Sequence, residues 1–386
     1  MSSITEIISH AIHDAGAKVV TNVPGIGGTE VFAAFCEISS QNHPRSFHEE
    51  VAYTIAHGAS LVGKRSATLI KAHGLAKAAN SVVDSLSAGT TAGFVVLVFD
   101  DRLSRHSDCI FNVSSLLQGL EIPYRRLQLH DTYRQIQDAF TWSESLQLPV
   151  AVLIDTDDLG KLETYTPLQR AVSSRNYKRN VIQHVVGPFF PEYQRKVLEA
   201  KLSGQSWQMI KTPTPPTIPD SLPDVLQQIV RLYAPLFSVF KRLRGDIVTG
   251  DTSTSTIFAS PPYNCVDICT YIGGSIPLAI GACLAGYKNT WALTGDFSFM
   301  AAGHLGLIEA IQRNIPLKIL IFNNEKAQAT GGQPVPTGIL DRILKGYEPY
   351  VRQIHKPQDT NEIKTVLQEA SQVQDMRIVV ADYRGG

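Results

Sequence analysis

The sequence predicts an α/β protein of two domains, each built on a mostly parallel sheet flanked by helices. Three observations carry this expectation. Short β-branched runs alternate with helical patterns in both halves of the chain. Those runs are continuously apolar, as expected for strands covered on both faces. Between the halves lies KTPTPPTIPDSLPD (211–224), a proline-rich stretch with the character of an extended, semi-rigid linker. A chain of 386 residues has room for two such domains. The boundaries expected are a first domain over 1–160, a linker over 161–224 and a second domain over 225–386.

The elements follow in order. MSSITEIISHAIHDAG reads as an amphipathic helix capped by Ser or Thr, without the charged start and long apolar run of a signal peptide. KVVTNV (18–23) is a strand, PGIGG (24–28) a tight turn and TEVFAAFCEIS (29–39) a helix. The turn is no dinucleotide loop, because the last Gly of GxGxxG would fall on Glu30, and this argues against a Rossmann oxidoreductase. An extended piece near Ser46 and Phe47 leads into a helix from Glu49 to about Leu61. SATLIKA (66–72) is a strand and Leu75 to Ser87 an Ala-rich helix. GFVVLVFDD (93–101) is a buried strand, TYRQIQDAFTWSESL (132–146) a helix and PVAVLIDT (149–156) a strand.

In the second half GDIVTGD (245–251) is strand-like and GGSIPLAIGACLAG (273–286) is a helix of small residues. TWALTGD (290–296) is a strand, HLGLIEAIQRN (304–314) a helix and PLKILIFNN (316–324) a strand. EIKTVLQEASQV (362–373) is a helix and MRIVVADY (376–383) a closing strand.

Lys+Arg and Asp+Glu both total 35, so net charge gives no reason to expect a nucleic-acid or membrane partner. No apolar run reaches the roughly 18 residues of a membrane span, and the expected location is the cytoplasm, with thiols reduced. Five cysteines form no CxxC pair, which argues against zinc ribbons and ferredoxin-type clusters; Cys265 and Cys269, four apart, read as structural thiols.

Chemistry concentrates in TGDFSFMAAGHLGLIEAIQRNIPLKILIFNNEKAQATGG (294–332). Asp296 ends one expected strand and Asn324 the next, 28 positions later. In a parallel sheet both ends face one crevice. A carboxylate and an amide oxygen are hard ligands that suit Mg²⁺ completed by phosphate oxygens and water. Gly295 and Asp296 open a helix whose free N–H groups, with Phe297 and Ser298 in its first turn, can meet a diphosphate. Taken singly, Gly-Asp and Asn-Asn are ordinary turn chemistry; their spacing around a helix and a strand is what points to a Mg²⁺–diphosphate cradle.

This segment resembles the thiamine diphosphate signature of Gly-Asp-Gly, a gap of under thirty residues and Asn-Asn, with Phe297 in place of the third Gly or Ser. The resemblance implies that Asp296 and Asn324 bind Mg²⁺ through side chains and Lys326 through its backbone carbonyl. GDTST (250–254) looks like the family's second diphosphate loop, which makes Gly250, Asp251 and Thr252 cofactor contacts. YIGGSIPLAIGA (271–282) resembles the segment that wedges the cofactor into a bent shape, with Ile272 at the wedge, although a core isoleucine would fit equally. Thiamine chemistry also needs a carboxylic acid beside the aminopyrimidine. RSFHEEVAYTIAHGASLVGKRSATLIKAHGLAKAAN (45–80) resembles the pyrimidine-binding half, and motif alignment puts that role on Glu49, leaving Glu50 as a first-turn acid favoured by the helix dipole. His48 and His73 are candidates to face the cofactor, Gly25 is a further cofactor contact, and Gln328 and Thr330 could reach cofactor or substrate. His106 and His304 are weaker candidates, since a loop histidine is more often a surface or packing residue.

HEEVAYTIAHGASLVG, VVLVFDDRLSRHS (95–107), DICTYIGGSIPLAIG (267–281) and NNEKAQATGGQPVPTG (323–338) look most like the alpha subunit of indolepyruvate ferredoxin oxidoreductase, with sulfopyruvate and phosphonopyruvate decarboxylases close in architecture. The cysteine-rich ferredoxin segment of that subunit has no counterpart in this sequence. The resemblance therefore implies two thiamine diphosphate-binding domains, pyrimidine-binding first and diphosphate-binding second, and a homodimer at least, with sites between chains. The expected activity is decarboxylation or carboligation of a small-molecule 2-oxo acid through an ylide and an enamine, a lyase chemistry. Two alternatives stay open: a 2-oxo acid oxidoreductase subunit that passes electrons to a separate iron–sulfur partner, and a non-catalytic thiamine diphosphate-binding protein.

Overall fold

A computed structural model of the chain describes residues 1–41, 43–171 and 174–384. It divides into two compact units, Met1–Lys178 with Lys201–Gln205, and Arg179–Ala200 with Ser206–Gly386.

The first unit is built on five parallel strands: β1 (Val19–Asn22), β2 (Ser66–Lys71), β3 (Phe94–Asp100), β4 (Tyr124–Arg126) and β5 (Val150–Asp155), in the order β1-β2-β3-β5-β4. β3, FVVLVFD, is buried along its whole length, which is why it shows no polar alternation. One face is covered by α1 (Ile4–Asp14), α2 (Gly28–Ser39) and α7 (Thr132–Leu146). The other is covered by α3 (Glu49–Leu61), α4 (Ala72–Lys77), α5 (Ala79–Ala88) and α6 (Val113–Gly119). α1 buries Ile4, Ile7, Ile8, Ala11 and Ile12, a helical-period stripe, and opens on a capping box between Ser3 and Glu6. The expected Ala-rich helix is two helices, α4 starting directly after β2. The β1–α2 turn passes so close to Phe99 that a Cβ on Gly27, at φ +81°, would meet its ring at 2.5 Å.

The second unit opens its main sheet with a helix that the sequence reading missed, α8 (Asp224–Leu243). Its strands are β6 (Ile247–Asp251), β7 (Ile268–Thr270), β8 (Thr290–Gly295), β9 (Lys318–Asn323), β10 (Val351–Ile354) and β11 (Arg377–Asp382). All six pair in parallel, in the order β10-β11-β9-β8-β6-β7. α9 (Ser275–Ala285) packs on the sheet as a small-residue helix. A helical run over Asp296–Gln312 contains a π-type turn at Phe299–Gly303, and α10 (Thr360–Gln372) lies beside α8.

Residues 161–224 differ from the linker expected of them. Val181, Val185, Ile218 and Leu222 are buried in the second unit's core together with Phe237, Phe258 and Trp291. The physical reason is that the proline-rich stretch still carries Ile218 and Leu222, and burying such side chains yields roughly 1.5–3 kcal/mol each, enough to hold an extended segment on the core. Among the described residues no helix is long and apolar enough to cross a membrane.

Candidate functional site

β8 and β9 are hydrogen-bonded neighbours, with Gly295 opposite Phe322. Asp296 and Asn324 follow directly after these two strands, so a parallel register carries both to the same edge of the sheet. There they line a cleft, together with Thr252, Ile272, Gly295, Phe297, Ser298, Lys326, Gln328 and Thr330. Gly250 and Asp251 do not line it; they lie behind its wall at the end of β6. A Cβ on Gly250 would meet Ser255 Oγ at 2.9 Å.

Asp296 is 1% exposed. Its Oδ1 accepts from Phe297 N at 2.8 Å and its Oδ2 from Glu325 N at 2.6 Å. Burial pushes its carboxyl up against the pull of those N–H groups. Among the described residues it forms no ion pair, so a buried anion stands here without a cation. Asn324 Oδ1 accepts from Lys326 N at 3.0 Å, while Nδ2 donates to the Tyr233 hydroxyl at 2.9 Å. A carboxylate short of a counter-charge, beside an amide oxygen with a spare lone pair, is a donor set that a divalent, oxygen-seeking cation fits. Phe297 lies in right-handed helix, where any residue is tolerated, and its ring is 39% exposed; no third glycine is required. The helical run starting at Asp296 leaves first-turn N–H groups without carbonyl partners of their own helix.

Asp251 ties the cleft floor together. Its Oδ2 accepts from Thr294 Oγ1 at 2.6 Å and from Gly273 N at 3.3 Å, while Oδ1 is buried without a hydrogen bond. Burial first, against those donors, pushes its carboxyl up to about 6. Gly273 has φ +86°, and a Cβ there would meet Gly303 N and Ala302 Cβ at 2.7 Å; the turn presenting Ile272 depends on that close approach to the π-type turn.

The other predicted residues lie in the first unit. Glu49 is the first residue of α3, after His48 in extended backbone at the N-cap. It lines a cavity with Val23, Pro24, Lys71, His73, Gly74 and Cys109; Gly25, on the adjacent turn, packs on Lys71 instead. Lys77 Nζ lies 3.1 Å from Glu49 Oε2. His73 Nε2 is 3.1 Å from Cys109 Sγ, and its Nδ1 is buried without a hydrogen bond. Glu50 is half-buried rather than a free surface acid: Asn80 donates to it, and burial pushes its carboxyl up. His106 N donates to Asp101, and His304 Nδ1 donates to Phe299 O at 3.2 Å, a packing arrangement.

Sequence reasoning missed Tyr233, Gly74 and Lys77. Tyr233 lies on α8, whose apolar stripe at 226, 230, 233, 237 and 240 was available in the sequence. Gly74 and Lys77 had no signal, since their meaning is the contact with Glu49.

Residues 249–373 match the family of the thiamine pyrophosphate enzyme C-terminal TPP binding domain. The chain is similar to sulfopyruvate decarboxylase subunit alpha of Methanococcus maripaludis, 26% identical over 39% of this chain and 93% of that protein. It is also similar to indolepyruvate oxidoreductase subunit IorA of Methanothermobacter marburgensis, 31% identical over 22% of this chain but only 14% of that protein. Among solved structures, the benzoylformate decarboxylase of Polynucleobacter necessarius shares the fold at a TM-score of 0.67 and 15% identity, over 98% of each chain. The thiamine diphosphate-dependent 4-hydroxybenzoylformate decarboxylase of Rhodococcus jostii does so at 0.67 and 16%, also over 98% of each. The chain thus has the α/β fold of thiamine diphosphate-dependent enzymes, and its residues 249–373 carry their C-terminal TPP binding domain.

Proposed function

We propose that this chain is a thiamine diphosphate- and Mg²⁺-dependent enzyme that decarboxylates or ligates a 2-oxo acid without an external oxidant. The observation that carries this reading is the convergence of Asp296 and Asn324 on one cleft, with Asp296 buried and without an ion pair among the described residues. When bound, thiamine diphosphate supplies a carbon nucleophile and an electron sink. The side chains of Asp296 and Asn324 and the backbone carbonyl of Lys326 would hold the ion, and Thr252 and Ser298 the diphosphate. Ile272 would give the cofactor an apolar support and keep water from it. Glu49 would hold a proton at an aminopyrimidine nitrogen. His73, whose Nδ1 has no hydrogen bond, lines the same cavity as Glu49 and would give or take a proton at the substrate.

Titration calorimetry with thiamine diphosphate tests the cofactor: saturable heat with Mg²⁺, and its loss in Asp296→Asn, are expected. Wild-type protein giving no heat would remove the catalytic proposal. Glu49→Gln should retain the cofactor while turnover falls about 10²–10⁴-fold, the span of acid–base catalysis; a variant that keeps full rate would contradict Glu49 as the acid.

The similarity to an indolepyruvate oxidoreductase subunit favours a second reading, in which a separate iron–sulfur protein accepts the electrons. Product analysis separates the two. Aldehyde release by the isolated chain supports the non-oxidative reaction, whereas turnover only with an added redox partner supports the oxidative one.

A further inference from the structure

A hard cation is ligated by the oxygen end of an asparagine amide, never by the nitrogen end. The two ends are nearly the same size, so something must fix which one faces the cleft. At Asn324 two hydrogen bonds do this. Oδ1 accepts from Lys326 N at 3.0 Å, and Nδ2 donates to the Tyr233 hydroxyl at 2.9 Å. Rotating the amide by half a turn would set its NH₂ against the Lys326 N–H, two donors facing each other. The phenol meanwhile draws the NH₂ end into the core, which leaves the second lone pair of Oδ1 for a ligand.

The phenol is itself packed in the core. Tyr233 is 1% exposed, its ring meets Phe322 edge-on at 5.5 Å, and Tyr383 lies 4.2 Å from it, centroid to centroid. Phe322 precedes the Asn323–Asn324 pair and lines the cleft, so one aromatic cluster supports both the amide and the wall beside it. Tyr383 provides a control within the same cluster: it is 4% exposed and its hydroxyl makes no hydrogen bond.

We propose that Tyr233 is a positioning residue for the metal site, orienting Asn324 so that its amide oxygen meets the ion. This rests on reading Asp296 and Asn324 as metal ligands. The test is a Mg²⁺ titration at saturating thiamine diphosphate, read by calorimetry, with Mn²⁺ paramagnetic resonance as a second readout of the bound ion. Tyr233→Phe is expected to weaken the ion about 10–100-fold, the usual cost of losing an outer-shell partner. Tyr383→Phe should stay within about threefold of wild type, because its hydroxyl contacts no ligand. Equal effects from the two variants, or none from Tyr233→Phe, would overturn the proposal. A further comparison uses Asn324→Asp, whose two carboxylate oxygens leave no amide to orient. On that background Tyr233→Phe should cost much less than on wild type. An equal cost on both would make Tyr233 a packing residue and overturn the proposal. Wild-type protein that binds no Mg²⁺ with the cofactor would instead overturn the ligand assignment itself, and the role of Tyr233 with it.

Discussion

Glu49 is held from two sides by one short helix. Gly74 on α4 leaves it room: a Cβ there would meet Glu49 Cγ at 2.8 Å, Ile70 Cβ at 3.3 Å and Glu49 Oε1 at 3.4 Å. Lys77, one turn later on the same helix, sets its ammonium 3.1 Å from Oε2. The glycine is needed for space and not for backbone, since it lies in regular helix. Gly74→Ala therefore gains about 1 kcal/mol of helix propensity while displacing the carboxyl. A misplacement near 1 Å can cost about 10²-fold in rate. Turnover of Gly74→Ala should fall on that scale, with the thermal midpoint and the heat of cofactor binding little changed. A fully active Gly74→Ala would argue that Glu49 is not the acid that matters.

α8 is the element on which the candidate metal site leans. Its apolar face buries Val230, Tyr233, Leu236, Phe237 and Phe240, and the Phe237 ring stacks on Phe258 at 3.6 Å. Phe240 meets the buried Trp291 of β8 edge-on at 5.2 Å. Phe240→Ala should cost about 3–5 kcal/mol, as truncating a buried phenylalanine does, measurable as a lower urea midpoint. A loss below 1 kcal/mol would mean that the helix end is loosely packed. The same helix shows what a sequence conceals. Eight of the eleven strands of the two main sheets were legible, because β-branched runs buried on both faces have no other good use; β4, β7 and β10, short strands at sheet edges, carried too little of that pattern. The meeting of Asp296 with Asn324 was legible because parallel strands end on one edge. α8 was obscured by Pro235 within it and by the prolines before it, which read as punctuation. The contact of Tyr233 with Asn324 joins residues 91 positions apart and leaves no local pattern. The same holds for Gly74 and Lys77, whose partner Glu49 stands on a different helix.

Across the whole molecule charge is balanced, so pH sensitivity comes from individual buried groups. Asp267 is 1% exposed but paired with Arg179 and Arg244. Asp251 is 0% exposed and meets only hydroxyl and N–H donors, with no ion pair among the described residues. Burial lifts its carboxyl from 3.8 to about 6. A carboxyl raised in the folded state keeps its full contribution to stability below the unfolded value and loses it as pH rises through the folded one. At 1.36 kcal/mol per unit, the ionised form costs the second unit about 3 kcal/mol by pH 8. Asp251→Asn keeps an acceptor for Thr294 and Gly273 and has nothing to ionise. Denaturant titrations of both proteins at pH 5 and pH 8 isolate this group, because every other titration is shared. The wild type should lose more stability than the variant over that interval, by about 1 kcal/mol, since only the last unit below the folded value near 6 is titrated there. Equal losses would mean that Asp251 is already ionised at pH 5, and that its hydrogen bonds to the ends of β8 and the Ile272 turn are those of a carboxylate.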